Sequence, residues 1–285
     1  MAITNSLTAR KNQNTGLTAY LTQDAVKDQI NKVVGGKNGQ RFMSAIISAV
    51  NTNPALQECT NPSILSGALL GESLNLSPSP QLGQYYLVPF NDKNKGKVAQ
   101  FQLGYKGYIQ LAIRSGQYKK LNVLAIKEGE LIRFDPLNEE IEVRLIEDEE
   151  AREQAATIGY YAMFEYVNGF KKAMYWSRKK METHALKYSK GYAAKKGFTF
   201  WEKDFDAMAY KTMLRQLISK WGVMSIEMMT AMDSDMAIIN EDGTKNYVET
   251  EEDNVIDAEA VAEPHPEKTE SSEPSSAASA LFGNK

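Results

Sequence analysis

The sequence predicts an α+β fold, in which a small antiparallel sheet built from hairpins packs against helices. Runs of β-branched and aromatic residues joined by turn-forming residues indicate the hairpins. Asn168-Gly169, between residues 157–167 and 170–176, is the strongest of these signals. Apolar residues spaced about 3.6 positions apart indicate the helices, for example over residues 204–221.

Residues 84–116 form the most informative segment, because their pattern predicts a strand, a turn, a second strand and a helix in succession. Aromatic and β-branched residues mark the strands at 85–90 and 98–103, and the loop between them is rich in Asn, Gly and Lys. At Tyr105 the apolar spacing lengthens to about 3.6 residues, which predicts a helix that ends at Gly116.

This helix is predicted to have one apolar face and one cationic face. Lys106, Gln110 and Arg114 recur every four residues, so they share one side of the helix. Such a stripe is either an ordinary solvated surface or one wall of a binding groove. Gly104 and Gly107 are interpreted as allowing a ligand backbone to approach the start of the helix. The predicted core face consists of Tyr105, Ile109, Ala112 and Ile113.

The other elements are predicted from the same patterns and from capping residues. Asn61-Pro62 is interpreted as the N-cap and first-turn residue of a helix, and Ser177 as the N-cap of another. The acidic run at 147–154 is interpreted as a solvated loop or helix surface. The remaining helices are predicted at residues 22–34, 41–51, 204–221 and 223–232, and the remaining strands at 121–126, 130–134 and 141–145.

Charge is distributed unevenly along the chain. From residue 233 to 285 there are 14 acidic and 3 basic residues, whereas residues 1–232 hold 22 acidic and 30 basic residues. The sequence therefore predicts three regions: a flexible arm at 1–16, a basic core at 17–238, and an acidic disordered tail at 239–285. The tail either acts on the basic surface or recruits a partner, or it serves only to keep the protein in solution.

The composition predicts a cytoplasmic protein with no membrane partner. No apolar run approaches the roughly 18 to 20 residues that span a bilayer, and the first residues lack the apolar segment of a signal peptide. Cys59 is the single cysteine, so no internal disulfide can form. A reducing compartment is consistent with this composition.

The sequence offers few residues for catalysis, and we predict no catalytic residue, no metal site and no cofactor. His184, in a basic helix, and His265, in the acidic tail, are the only histidines, and their positions support neither a histidine-based triad nor a His-rich metal site. The glycine-rich segment at 35–39 contains Lys37 but is not a phosphate-binding loop. That motif requires Gly at position 31 and Ser or Thr at position 38, and the chain has Asn31 and Asn38.

The enzymatic alternative is a magnesium-dependent nuclease. Glu202, Asp204 and Asp206, with Glu165, could supply carboxylate ligands for the metal. Acids at the start of a helix are also explained by capping and by the helix dipole, which is the reading that we favour.

The second half of the chain combines cations with aromatic rings. Residues 171–220 contain 13 Lys or Arg and 4 acidic residues, interleaved with Tyr, Phe and Trp. Cations that hold phosphates beside rings that stack on bases are typical of a groove for single-stranded nucleic acid.

Three segments of the chain resemble the RecT family of phage single-strand annealing proteins. They are GESLNLSPSPQLGQYYLVPF, QFQLGYKGYIQLAIRSGQY and WEKDFDAMAYKTMLRQLISKW, and the resemblance extends over roughly residues 20–230. It implies an α+β core like that of other annealing proteins, and a DNA-binding protein that works without ATP rather than an enzyme. It also implies a role in phage homologous recombination.

The resemblance also implies partners. These are single-stranded DNA, the annealed duplex intermediate, further copies of the chain in a ring or helical filament, a phage exonuclease and, as a further candidate, the host single-strand-binding protein. An RNA-binding structural protein is the alternative that the composition leaves open.

An annealing protein must hold phosphates and leave the pairing edges of the bases accessible, so cations and amides suit its groove. The α-helix that begins at Tyr105 is predicted to form one wall, faced by the helix over residues 204–221. Tyr105, Phe200 and Trp201 are candidates for contacting bases, and each is alternatively a core residue. The candidate phosphate-binding residues are Lys97, Lys106, Gln110, Arg114, Lys211 and Arg215, with Lys187, Lys190, Lys195 and Lys196 as weaker additions.

Overall fold

The computed structural model describes residues 16–35, 37–92, 95–197 and 199–247. The predicted arm lies outside these residues except for Gly16, as does the tail beyond residue 247. Helices and antiparallel sheets are mixed along the chain, which confirms the predicted α+β class. Among the described helices, none is long and apolar enough to cross a membrane.

The order of elements follows the predicted order closely. The helices are α1 (Leu17–Leu21), α2 (Asp24–Val34), α3 (Gly39–Thr52), α4 (Asn61–Ser73), α5 (Tyr105–Arg114), α6 (Glu149–Gln154), α7 (Arg178–Tyr188), α8 (Lys190–Ala193), α9 (Phe200–Lys203), α10 (Phe205–Trp221) and α11 (Ile226–Ser234), with a 3-10 helix at Pro54–Glu58. The strands are β1 (Tyr85–Asp92), β2 (Gly96–Leu103), β3 (Tyr118–Lys127), β4 (Leu131–Asp135), β5 (Glu140–Val143), β6 (Thr157–Tyr166), β7 (Lys171–Ser177), β8 (Ala237–Ile239) and β9 (Lys245–Tyr247).

The first sheet joins distant parts of the chain in the order β1-β2-β8-β9. The predicted β1–β2 hairpin forms with Tyr85 opposite Leu103 and Asp92 opposite Gly96. The C-terminal hairpin β8–β9 extends this sheet, with Ala237 opposite Phe101. The predicted boundary between core and tail at 238/239 therefore falls inside β8, and the sheet continues to Tyr247.

The second sheet has the order β3-β6-β7, and its predicted Asn168-Gly169 turn closes the β6–β7 hairpin. Gly169 has φ +89°, a backbone conformation that glycine adopts without strain. Tyr160, Ala162 and Phe164 alternate along β6 and are buried in one core cluster with side chains from α7 and α10. Helices α7 and α10, from the basic second half of the chain, therefore pack against this sheet.

The predicted apolar face of α5 is wrong in part. Tyr108, Leu111 and Ala112 are buried, whereas Ile113 is 58% exposed. The helix packs against α10 and α11, and apolar spacing within α5 cannot show this long-range packing. Tyr105 and Ile109 are partly buried at the edge of this core.

Gly104 and Gly107 serve close packing within the chain, which corrects their interpretation as a site for an approaching ligand backbone. A Cβ atom at Gly104 would overlap the carbonyl oxygen of Gly83, and one at Gly107 would overlap the carbonyl oxygen of Gln84. The start of α5 thus rests directly on the backbone that precedes β1.

Two local details of the helix predictions also change. The N-cap of α4 is Thr60, so Asn61 and Pro62 occupy the first two helical positions. Trp221 ends α10 with 40% of its surface exposed, although apolar spacing predicts that it is buried with Leu214 and Leu217. Ser177 is confirmed as the N-cap of α7, because its side chain accepts a hydrogen bond from the Lys180 amide.

The acidic run at 147–154 contains α6, which is attached to the second sheet through a buried carboxylate. Glu130 has no exposed surface, and it accepts a hydrogen bond of 2.6 Å from Nε of Arg152 in α6. The backbone amides of Lys127 and Ile146 also donate to this carboxylate. Arg152 further donates to the carbonyl oxygen of Ala125, so one ion pair joins α6, β3 and the turn before β4.

Candidate nucleic-acid interface

The two predicted walls of the groove lie next to each other, because α5 packs against α10. Tyr105 at the start of α5 meets Tyr210 of α10 edge to face, with ring centroids 5.8 Å apart. Tyr210 in turn contacts Tyr160 of β6. Rings therefore connect the first helix of the predicted site to the second sheet.

The polar side of α5 has a mixed environment. Lys106 is half-buried, and its Nζ lies 5.9 Å from the ring centroid of Tyr105. Gln110 is exposed. Arg114 is also exposed, but it donates hydrogen bonds to the carbonyl oxygens of Leu74 (2.8 Å) and Asn75 (3.2 Å), where α4 ends. Arg114 thus caps the C-terminal end of α4, while Lys106 and Gln110 occupy the adjoining surface.

Lys211 and Arg215 form a buried ion-pair network beneath this surface. Nζ of Lys211 lies 2.9 Å from one oxygen of Asp235, and Nη1 of Arg215 lies 2.5 Å from the other. The backbone amide of Leu103 donates to the same carboxylate. The side chain of Lys211 is only 11% exposed, whereas that of Arg215 is 40% exposed. Of the two, only Arg215 has substantial surface for contact with a ligand.

Lys97 lies at the far end of the β1–β2 hairpin from α5. Six residues separate it from Leu103, at which β2 ends, and about 3.4 Å of rise per residue places these two ends about 20 Å apart. Lys97 forms an ion pair with Glu58 of the 3-10 helix. The structure therefore does not bring Lys97 together with Lys106.

The remaining candidates belong to the segment from α7 to α9. Trp201 is buried, and its ring contacts those of Phe205 and Tyr192 at centroid distances of 5.0 and 6.2 Å. Phe200 is half-buried and contacts the ring of Tyr86 in β1. The four lysines of this segment, Lys187, Lys190, Lys195 and Lys196, are all exposed.

The carboxylates of the nuclease alternative are engaged separately from one another. Glu202 accepts hydrogen bonds from Thr199 and the Gly197 amide, and the side chain of Asp204 accepts from the Ala207 amide as the N-cap of α10. Asp206 accepts a 2.6 Å bond from Tyr160 Oη and lies 3.5 Å from Arg178. The contacts of Glu202 and Asp204 agree with the capping interpretation, whereas Asp206 pairs with side chains from β6 and α7.

Glu165, the fourth carboxylate of that alternative, is also paired. The ammonium groups of Lys119 and Lys171 lie 2.7 and 3.4 Å from it and hold the pKa of this carboxyl below its usual range. Within the described parts of the chain, no group of three or more His, Cys, Asp or Glu is arranged to hold a metal ion.

Sequence reasoning missed several residues with cation-to-ring contacts around α7. Arg178 lies over the ring of Phe205 at 3.7 Å, and Lys180 lies over that of Trp176 at 4.4 Å. The signal was available in the spacing of Lys180, His184 and Tyr188, which recur every four residues as do the polar residues of α5.

Comparison with known proteins identifies the chain. The sequence model of the RecT family matches residues 40–255, from α3 through β9. The chain belongs to the RecT family. As a RecT family member it is 39% identical to the protein YqaK of Bacillus subtilis (strain 168) over 265 residues, covering 92% of this chain and 86% of YqaK. It is 30% identical to Protein RecT of Escherichia coli (strain K12) over 229 residues, covering 78% and 81% of the two chains.

Membership of the RecT family supports a single-strand annealing recombination protein. RecT family proteins are annealing proteins and are generally not catalysts. The matched region contains α5, α10 and both large sheets, so the adjoining walls lie within the part that defines the family.

Proposed function

We propose that this chain anneals complementary single strands of DNA without ATP during phage homologous recombination. It holds the strand by its phosphates in a basic groove, so that the bases remain available for pairing. The observation that carries this proposal is the packing of α5 against α10 within the region matched by the RecT family. That contact joins the polar stripe of α5 to the segment in which cations and rings are most concentrated.

The candidate residues have different roles in this proposal. Lys106, Gln110 and the exposed part of Arg215 contact the phosphates, and Arg114 contributes while it anchors α4. Tyr105 and Phe200 border the groove. The buried Lys211 and Trp201 support its floor, and the exposed lysines of the α7–α9 segment extend the positive surface.

Annealing of two complementary oligonucleotides tests this function. In the absence of nucleotide the protein should accelerate pairing, and raising the salt concentration should weaken its binding to single strands steeply, because each neutralised phosphate releases counterions. A pairing rate unchanged by saturating protein, or binding insensitive to salt, would refute the proposal. Parallel titration of DNA and RNA strands distinguishes an RNA-binding protein.

A single substitution tests the groove. Lys106→Ala should weaken single-strand binding and reduce the slope of log affinity against log salt by about 0.7, the contribution of roughly one phosphate on a single strand. Lys32→Ala removes an exposed lysine from α2 and is the matched control, which should leave both quantities unchanged. An unchanged slope in Lys106→Ala would remove this lysine from the groove.

We further propose that the chain assembles into rings or helical filaments and works beside a phage exonuclease, with the host single-strand-binding protein as a further partner. Family membership supports assembly, and the exonuclease follows from the recombination role.

The acidic tail is proposed to act on the basic surface. Deleting residues 248–285 tests this role of the tail, because a deletion that begins further upstream would also remove β9.

A further inference from the structure

Three neighbouring rings lie on β7 and α7, outside the α5–α10 groove. The ring centroid of His184 lies 5.5 Å from that of Trp176 and 4.5 Å from that of Tyr188. Nζ of Lys180 lies 4.4 Å from the Trp176 centroid, and Nζ of Lys187 lies 5.1 Å from the Tyr188 centroid. We call these five residues the ring strip, which has an ammonium group beside each outer ring.

The ring strip follows from the local sequence. The Ser177 cap starts α7 immediately after β7, which sets Trp176 beside the first turn of the helix. Lys180, His184 and Tyr188 are spaced by four residues, so they form one stripe along α7. The neighbouring stripe of Met181 and Ala185 is buried in the core of the second sheet, and the strip therefore runs along the edge of that core.

The exposure and charge of the ring strip favour a ligand with flat faces and negative charge. Tyr188 is 61% exposed, so most of its apolar surface is in contact with water. Burial and the nearby Lys187 lower the pKa of His184, which favours the neutral imidazole. Glu182, the single acid of α7, is about 160° around the helix from His184.

We propose that the ring strip stacks bases of the bound single strand, while Lys180 and Lys187 contact the phosphates on either side. The inference rests on the proposed annealing function and identifies where the bases are held. Stacking occupies the faces of the bases and leaves their pairing edges accessible, as annealing requires. It shifts base contact away from Trp201, which is buried, to a strip that includes the exposed ring of Tyr188 and the half-buried rings of Trp176 and His184.

The test compares two oligonucleotides of equal length, one of thymidines and one abasic, so that phosphates are kept and bases removed. Tyr188→Ser should weaken binding of the thymidine strand about tenfold, equivalent to about 1.4 kcal/mol, and leave binding of the abasic strand unchanged. Tyr188→Phe retains the ring and should bind both strands as the natural chain does. Leu186→Ser, at a 47% exposed position of the same helix outside the strip, is the matched control.

The outcomes separate the two proposals. If the natural chain binds neither strand, the annealing function itself is wrong and the stacking role is wrong with it. If the natural chain binds single strands and anneals them, but Tyr188→Ser and the double variant His184→Ser/Tyr188→Ser bind the thymidine strand with unchanged affinity, the ring strip does not stack bases. Equal weakening on both strands would also contradict stacking, because it would indicate loss of a phosphate contact or of the fold.

Discussion

At the scale of single residues, Asp235 explains the position of α10. Its side chain has no exposed surface, and it receives hydrogen bonds from Lys211, Arg215 and the Leu103 amide. Leu103 is the last residue of β2 and nearly adjoins α5, so this one carboxylate fixes α10 relative to the start of α5. Residue spacing alone predicts that Lys211 contacts the ligand, because spacing along one helix does not show that Asp235 pairs with this lysine.

Asp235→Asn is expected to destabilise the fold by about 3 kcal/mol, because it leaves the buried Lys211 ammonium without a charged partner. Chemical denaturation at pH 7 measures the change in the free energy of unfolding. Asp28→Asn, at an exposed position of α2, is the control and should change this quantity by less than about 0.5 kcal/mol. Equal stability of the two variants would show that the network contributes little.

At the scale of elements, α6 depends on the ionised state of Glu130. Burial alone would raise the pKa of this carboxyl, but hydrogen bonds from Arg152 and from the Lys127 and Ile146 amides lower it below its usual range. A carboxyl whose pKa is lower in the folded protein stabilises the fold above its unfolded pKa of about 4.3. That stabilisation is lost as the pH falls through the folded pKa.

Glu130→Gln should therefore unfold more easily than the natural chain at pH 7 and lose less of its stability between about pH 5 and pH 3. Urea midpoints measured across this range give the comparison. Glu128→Gln, an exposed position two residues earlier, should follow the natural chain at every pH. A natural chain and a Glu130→Gln variant with parallel pH profiles would exclude this role for Glu130.

Elements were predictable where a local pattern determines them. The β1–β2 and β6–β7 hairpins and α10 follow from alternation, from Asn168-Gly169 and from apolar spacing. The buried face of α5 was not predictable from local spacing, because Ile109 and Ile113 are as apolar as the residues that are buried. Contacts with α10 and α11, which come much later in the chain, decide which side is covered.

At the scale of the whole molecule, one end of the second sheet carries several exposed apolar side chains. Tyr166 Oη donates to the carbonyl oxygen of Trp221, and the Val223 amide donates back to the same hydroxyl. The Val167 amide donates to the carbonyl oxygen of Gln117, so these loops adjoin one another. The exposed residues of this apolar end are Val167 (64%), Phe170 (45%), Trp221 (40%) and Val223 (46%). A surface of this kind suits contact between copies of the chain.

Val167→Asp places a charge in the apolar end and should shift the proposed oligomers toward smaller species, as measured by native mass spectrometry or light scattering. The fold should survive, because this side chain is largely exposed. Leu137→Asp, at an 88% exposed position in the β4–β5 turn, tests whether any added acid has the same effect. Identical oligomer distributions for the natural chain and Val167→Asp would remove this surface from the interface.

The packing of the two candidate groove walls was predictable, but the surroundings of the individual candidate residues were not. The resemblance and the charge pattern indicated α5 and α10, which do pack together, whereas Lys97 and Lys106 lie at opposite ends of the β1–β2 hairpin. Individual cations look alike in sequence whether they face water, cap a helix as Arg114 does, or neutralise a buried acid as Lys211 does.

The first sheet also bears on how the protein is made. Its central strand β2 is complete after residue 103, but its partner β8 and the acid that receives the Leu103 amide come only at residues 235–239. Contacts between such distant residues form late, because a long loop must first be closed. During synthesis, more than 120 residues must follow α5 before Asp235 can accept the hydrogen bond from the Leu103 amide. A chain that ends before Asp235 therefore lacks the ion pairs that this acid makes with Lys211 and Arg215.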